Sequence, residues 1–137
     1  MRSAFLKRLH VAKKARRHMK DMIGCQVGGA KATDNMRVKR QRFKRKRKRI
    51  IWKIRFKYGQ PLYERQWAVN TGACESHNTP TAHSPHGDHG AMQFKLGTWR
   101  SAGGSGDPHT KSLYEQYVRA IRWKHKTSDE QWPNCGD

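Results

Sequence analysis

The feature that most constrains this chain is where its charge lies. The entire net charge of +20 belongs to residues 1–60, which hold 22 of the 30 lysines and arginines and two acids, Asp21 and Asp34. Residues 61–137 balance 8 basic against 8 acidic side chains. A basic segment beside a neutral one implies a polyanionic partner for the former and a separate role for the latter, whose roughly 77 residues leave room for only a thin core. The chain therefore divides into a basic arm, 1–60, and a small domain, 61–137.

Within the arm, Arg37 to Lys57 carries 13 basic residues in 21 and no acid. Such a block is predicted to stay extended until an anion neutralises it. Ile50, Ile51, Trp52, Ile54 and Phe56 are interleaved with the charge, and Ile50 to Phe56 is expected to dock on the following domain as a helical turn or short strand. Gly28-Gly29-Ala30 to Asn35 reads as a turn-prone linker. Met1 to Lys20 reads as a weakly amphipathic basic segment that stays solvated. The partner of such an arm is a polyanion: nucleic-acid phosphates, an anionic membrane surface, or the phosphates and carboxylates of a bacterial cell-wall polymer. Coulombic attraction alone does not choose among them. No transmembrane segment is present, since no stretch approaches the roughly 18 apolar residues of a span. The basic start is not followed by the apolar core of a secretory signal peptide. Met22-Ile23-Gly24-Cys25 has the outline of a lipoprotein box, but charge from Lys13 to Asp21 occupies the place of its apolar segment.

Gly59-Gln60-Pro61 marks the boundary, and Pro61 suits the first turn of a helix. Leu62, Gln66, Val69 and Ala73 follow at helical spacing and predict one buried face, with Trp67 and Cys74 on an adjoining stripe. The helix should end near Glu75, because Asn78, Pro80 and Ser84-Pro85 cannot continue it. A carboxylate there sits at the negative end of the helix dipole, which disfavours ionisation, and partial burial adds to the effect. Those are the needs of a general acid that keeps its proton at neutral pH. His77, His83, His86 and His89 lie within 13 residues of loop. His86 and His89 with Asp88 were weighed as metal ligands, but no helical His-x-x-x-His pair is present and a proline-containing loop fixes no geometry, so neither metal nor cofactor is expected. Hydrogen bonds from these rings to water, backbone or sugar are expected instead.

Met92, Leu96 and Trp99 predict a short helix stopped by Gly103-Gly104, with Trp99 in the core. Gln93, beside Phe94, is a candidate for a polar contact to a sugar N-acetyl or hydroxyl group. Ser112 and Glu115 form a capping-box pattern. Leu113, Tyr117 and Ile121, flanked by Tyr114, Val118 and Trp123, predict the longest helix of the domain.

Trp67, Ala73-Cys74-Glu75-Ser76, Gly87, Gly90-Ala91-Met92-Gln93-Phe94, Thr98-Trp99 and Trp132-Pro133-Asn134-Cys135-Gly136, taken as an ordered set, resemble the transglycosylase-like domain of resuscitation-promoting factors and their actinobacterial and phage relatives. The resemblance implies a small lysozyme-like domain, α+β and mainly α, that cleaves the MurNAc-GlcNAc β-1,4 bond of peptidoglycan glycan strands. It implies that Glu75 is the catalytic acid, that Cys74 pairs with Cys135, and that Thr98 borders the sugar cleft. The sequence departs from the family at Pro80, where a tryptophan is usual, and at Asp88-His89, where an aromatic pair is usual, so Asp88 and His89 become the substrate-facing candidates at that place. Asp88 is the one nearby carboxylate that could face Glu75, but a single-acid scheme fits better. In that scheme Glu75 protonates the glycosidic oxygen and the muramyl 6-hydroxyl attacks internally, as in lytic transglycosylases; hydrolysis assisted by the N-acetyl group is the alternative outcome. A monomer is expected. The Cys74–Cys135 bridge implies an oxidising compartment, hence an extracellular, cell-wall or virion-associated setting, with Cys25 left as a third, unpaired thiol. The competing function is a basic DNA-associated or virion structural protein whose lysozyme-like domain only binds the cell wall.

Overall fold

The computed structural model describes residues 4, 7, 8, 10, 30–127 and 130–136. Ala4, Lys7, Arg8 and His10 are helical. The rest of Met1 to Lys20, the Met22–Cys25 segment and the unpaired Cys25 lie outside the described residues. Helix α1 spans Ala30–Gly59, α2 Leu62–Ser76 and α3 Leu96–Ser101, a 3-10 turn covers Pro108–Thr110, and α4 spans Leu113–Lys126. Between α2 and α3 two short strands, β1 (Asp88–His89) and β2 (Phe94–Lys95), pair antiparallel with Asp88 opposite Lys95 and His89 opposite Phe94. The result is a small, mainly α, lysozyme-like domain. No helix among the described residues is long and apolar enough to cross a membrane.

The arm is expected to be largely extended or helical, and from Ala30 it is helical; the first departure is only from the extended state that charge repulsion predicts for Arg37 to Lys57. The segment is one continuous helix of 30 residues, and Ala30 to Asn35, read as linker, is its opening. Lysine and arginine are good helix formers and no glycine or proline interrupts residues 31–58, so the backbone preference is helical once repulsion is offset. The offset comes from docking: Trp52, Ile54 and Phe56 are buried, and α1 packs against α4. Phe56 meets Tyr117 and Tyr114 at ring-centroid distances of 5.1 and 5.5 Å. Arg119 and Arg122 of α4 approach the Trp52 ring at 4.8 and 5.5 Å, and the π face offsets part of the repulsion among these cations.

The second departure is the face that α2 buries. Leu62 is 58 % exposed and Val69 39 %, and Gln66 and Ala73 are exposed as well. The buried set is Glu64, Ala68, Thr71 and Gly72. Small side chains let α4 and the Met92 side chain come close, so close packing rather than bulk hydrophobicity selects the face. A Cβ on Gly72 would meet Asn78 Oδ1 at 2.2 Å and Met92 Sδ at 3.3 Å. Glu64 goes with that face and pairs its Oε1 with His125 Nε2.

The rest of the core joins aromatic rings to Val118, Ala120 and Ile121 of α4, and Trp99 lies in it as expected. Trp99 is fully buried against Phe94 at 5.2 Å, and Phe94 meets Trp132 at 5.3 Å. Met92 is buried too, but it precedes β2 and α3 instead of opening a helix. Ser112 Oγ accepts the Glu115 N–H at 3.2 Å, half of a capping box; the Glu115 carboxylate turns to Arg119 at 2.8 Å. The C-terminal segment has no regular structure, and besides a 3.4 Å bond from Gln131 Nε2 to Gln93 O it is held by three closer ties. Cys135 is bonded to Cys74, Trp132 Nε1 donates to Met92 O at 2.6 Å, and Trp67 Nε1 donates to Gly136 O at 2.8 Å.

Candidate active site

Helix α2 ends where the breakers predicted, and its end sets the site. His77 caps it in the left-handed conformation (φ 55°), its N–H bonding Ala73 O, and Asn78 follows at φ 56° with its N–H on Gly72 O. Left-handed residues stop a helix sharply, so the chain turns away immediately after Ser76. Ser76 Oγ then donates to Ala91 O at 2.7 Å, and Tyr117 donates its hydroxyl to Asn78 Oδ1 at 2.6 Å. These bonds fix the last turn of α2 against the 88–95 hairpin and α4.

Glu75 stands in that last turn, half-buried, and among the described residues nothing hydrogen-bonds its carboxylate. Burial pushes its pKa above the ordinary carboxylate value, and the negative charge of Asp88 pushes it further. The helix dipole acts in the same direction. Asp88 is itself held in β1 by Lys95 Nζ at 2.9 Å, directly across the hairpin. The structure thus brings together a carboxylic acid disposed to keep its proton and a second carboxylate that remains paired to a cation.

Two of the other candidates take up internal duties. Gln93 sits at φ 47° between the strands and donates its amide Nε2 to Gly90 O at 2.8 Å, tightening the hairpin turn. His89 is buried rather than turned to solvent, and its Nδ1 lies 3.0 Å from Nδ1 of His109. His83 lies against it with its ring tilted, at a centroid distance of 4.4 Å. The histidine grouping is therefore His83, His89 and His109, whereas His86 is exposed. The His89 and His109 rings are 16° from parallel with centroids 5.2 Å apart, so the two nitrogens point at each other along a shared hydrogen bond, not at a common third atom. Among the described residues no group of three or more His, Cys, Asp or Glu side chains is arranged to hold a metal ion. Burial and the neighbouring His83 and His109 hold the His89 pKa below its usual value. Thr98 is half-buried on α3.

Three contributors, His109, Gln116 and Glu64, carried little or no signal in the sequence. His109 lies in the 3-10 turn, 20 residues from its partner. Gln116, fully buried in α4, accepts the Ala91 N–H at 2.7 Å and donates to Pro80 O and Lys111 O at 3.2 and 3.0 Å. Gly90, at φ 81°, is required beneath it, because a Cβ there would meet Gln116 Oε1 at 2.1 Å. Glu64 lies on the apolar stripe of α2, where a carboxylate reads as exposed. A polar residue in the middle of an otherwise apolar helix face, as Gln116 is between Leu113 and Ala120, was the one available hint.

The match to known proteins falls on this same region. The chain is 36 % identical over 63 residues to resuscitation-promoting factor RpfC of Mycobacterium tuberculosis (strain Erdman), covering 46 % of this chain and 45 % of that protein. It is 37 % identical over 62 residues to resuscitation-promoting factor Rpf of Micrococcus luteus, covering 45 % of this chain and 28 % of that protein. It is 35 % identical over 73 residues to resuscitation-promoting factor RpfE of Mycobacterium tuberculosis (strain H37Rv), covering 51 % of this chain and 42 % of that protein. The chain thus spans less than half the length of these relatives. No solved structure matches it significantly. Residues 63–135, more than half of the chain and everything from α2 to the second bridge cysteine, match the sequence model of the transglycosylase-like domain, and the chain belongs to that family.

Proposed function

We propose that the protein cleaves the glycan strands of peptidoglycan at the MurNAc-GlcNAc β-1,4 bond, with Glu75 as the general acid. The observation that carries this reading is the state of Glu75: a half-buried carboxyl without a hydrogen-bond partner among the described residues, its pKa raised by burial and by Asp88. A carboxyl so placed keeps its proton to higher pH than an exposed glutamate, which is what a general acid needs. Membership of the transglycosylase-like family and similarity to resuscitation-promoting factors support the same substrate.

In the proposed reaction the Glu75 proton passes to the glycosidic oxygen as the C1–O bond breaks and that oxygen leaves as a hydroxyl. The muramyl 6-hydroxyl then bonds to C1, and its proton returns to the Glu75 carboxylate, which leaves a 1,6-anhydro sugar and regenerates the acid. Asp88, paired with Lys95 Nζ, lies close enough to act on Glu75, and a carboxylate there favours the positive character that develops at C1. If water replaces the 6-hydroxyl the product is a reducing sugar, and the same acid serves. The Cys74–Cys135 bond, joined next to Glu75, favours action in an oxidising, extracellular setting.

The test is muropeptide analysis of purified cell walls treated with wild type and with Glu75→Gln. The variant keeps the shape and loses the proton, so cleavage should fall by at least about a hundredfold, the lower end of what general acid catalysis contributes. Equal release of fragments by both proteins defeats the assignment, and the presence or absence of 1,6-anhydro ends decides the outcome of the reaction.

A further inference from the structure

Between α1 and the segment that leads from the 3-10 turn into α4 lies a groove of about 460 Å³. Glu75 is not in its wall, but the groove is joined to the site by hydrogen-bonded steps. Pro80, on one rim, belongs to the loop that leaves the Glu75 helix and is held by Gln116. His109, on another, shares its Nδ1 hydrogen bond with His89, the strand neighbour of Asp88.

The chemistry of the groove is one-sided. Arg49, Lys53 and Lys111 line it and no acid does. Arg49 and Lys53 are four residues apart on α1, so their heads fall on the same side of the helix. None of the three is ion-paired among the described residues, and Lys53 Nζ rests 5.9 Å from the centre of the Tyr114 ring. The floor under these cations is apolar, formed by Leu113 and Tyr114. Three unpaired cations over an apolar floor suit a short ligand with several carboxylates and aliphatic stretches between them. Inside the groove the cations are three and clustered, whereas a nucleic-acid backbone follows a continuous basic track such as the rest of α1 offers.

We propose that this groove binds the acidic peptide stem that hangs from the muramyl sugar, its carboxylates on Arg49, Lys53 and Lys111 and its aliphatic portions on Leu113 and Tyr114. The proposal rests on the reading of Glu75 as the acid that cleaves next to that sugar. One ligand then spans both places: the glycan enters beside Glu75, and the stem crosses Pro80 and His109 into the groove. The basic helix contributes to substrate selection through two of its residues, although residues 63–135 alone match the family.

The experiment compares wild type with the double variant Lys53→Ala/Lys111→Ala on two substrates, glycan strands bearing free-acid stems and strands stripped of stems by an amidase. Wild type should favour stem-bearing strands by about tenfold in kcat/KM, expressed in KM, which is the size expected for a pair of charge-assisted contacts. The double variant should lose that preference and keep its rate on stripped strands, with an unchanged melting temperature. Equal rates of wild type on both substrates, a preference retained by the variant, or an equal loss on both substrates each overturns the proposal. Calorimetry with the disaccharide tetrapeptide separates this result from a failure of the catalytic reading. If wild type cleaves neither substrate, weaker binding of that fragment by the double variant still supports the groove, and unchanged binding overturns it. Loss of affinity for duplex DNA with unchanged binding of the fragment assigns the cations to nucleic acid and likewise overturns it.

Discussion

Gln116 Oε1, deep in α4, accepts the Ala91 N–H at 2.7 Å while its Nε2 donates to the carbonyls of Pro80 and Lys111. One buried amide therefore joins both ends of the loop behind Glu75 to the approach of α4. Gln116→Leu would leave one buried backbone donor without a partner, at about 1–3 kcal/mol, and two part-buried acceptors that cost less. The variant should lose about 1–3 kcal/mol in urea denaturation. Gln116→Glu keeps the acceptor and loses both donors, so it should fall between. A loss below about 1 kcal/mol for Gln116→Leu would mean that the loop satisfies these groups in another way.

The pH profile should report Asp88. Burial raises the Glu75 pKa first and the Asp88 charge second. The acid must be protonated to act, so kcat/KM should fall as pH rises through the raised value. Asp88→Asn removes the second cause and leaves the first. The alkaline limb should move to lower pH without reaching the position of an ordinary carboxyl. A limb that stays in place, or moves upward, would show that Asp88 does not face the acid in solution.

What the sequence revealed and what it withheld follow a physical line. The end of α2 beside Glu75 was readable because Asn78 and Pro80 are local breakers, and the burial of Trp99 because aromatic residues at helical spacing have few other destinations. The buried face of α2 was misread since hydropathy ranks Leu62 and Val69 above Ala68 and Gly72, whereas the fit against α4 and Met92 rewards small residues. The helical state of residues 30–59 depends on Trp52 and Phe56 finding α4, a tertiary event that charge counting does not contain. His109 and Gln116 serve the site from positions 20 and 25 residues away from their partners, and no local pattern links such positions.

Docking of the basic helix can be tested at Trp52. Its ring is buried, and Arg55, Arg119 and Arg122 lie 4.7, 4.8 and 5.5 Å from its centre. Trp52→Ala removes both the apolar contact and the surface on which these cations rest, at a cost of about 3–5 kcal/mol. Trp52→Phe keeps part of each and should cost less. Melting temperatures order the three proteins. Indistinguishable values would show that α1 leaves the domain in solution.

The Cys74–Cys135 bond joins residues 61 apart in sequence. On the chain-entropy model a loop of that length stabilises the fold by roughly 4 kcal/mol, a large share for a small domain. Cys135→Ser should lower the melting temperature by more than about 15 °C, since 1 kcal/mol corresponds to several degrees at this size. Activity should fall at temperatures where the variant is still folded, because the freed C-terminus no longer holds the helix end that carries Glu75. A variant that melts with wild type would show the bond to be dispensable.

Glu75 should also be a residue that the fold is less stable for having. Its folded pKa is raised above the value of 4.5 for a free glutamate, so the unfolded chain gives up this proton at lower pH than the folded one. The contribution is therefore fully present below the unfolded value and is lost as pH rises through the folded value. Glu75→Gln cannot ionise and escapes the loss. Its melting temperature should match wild type near pH 4 and exceed it at pH 7 by about 2 °C, a small effect because the carboxyl is partly solvated. A variant less stable than wild type at pH 7 would mean that the ionised carboxylate has a favourable partner in the folded protein, and the argument that it is held as an acid would fail with it.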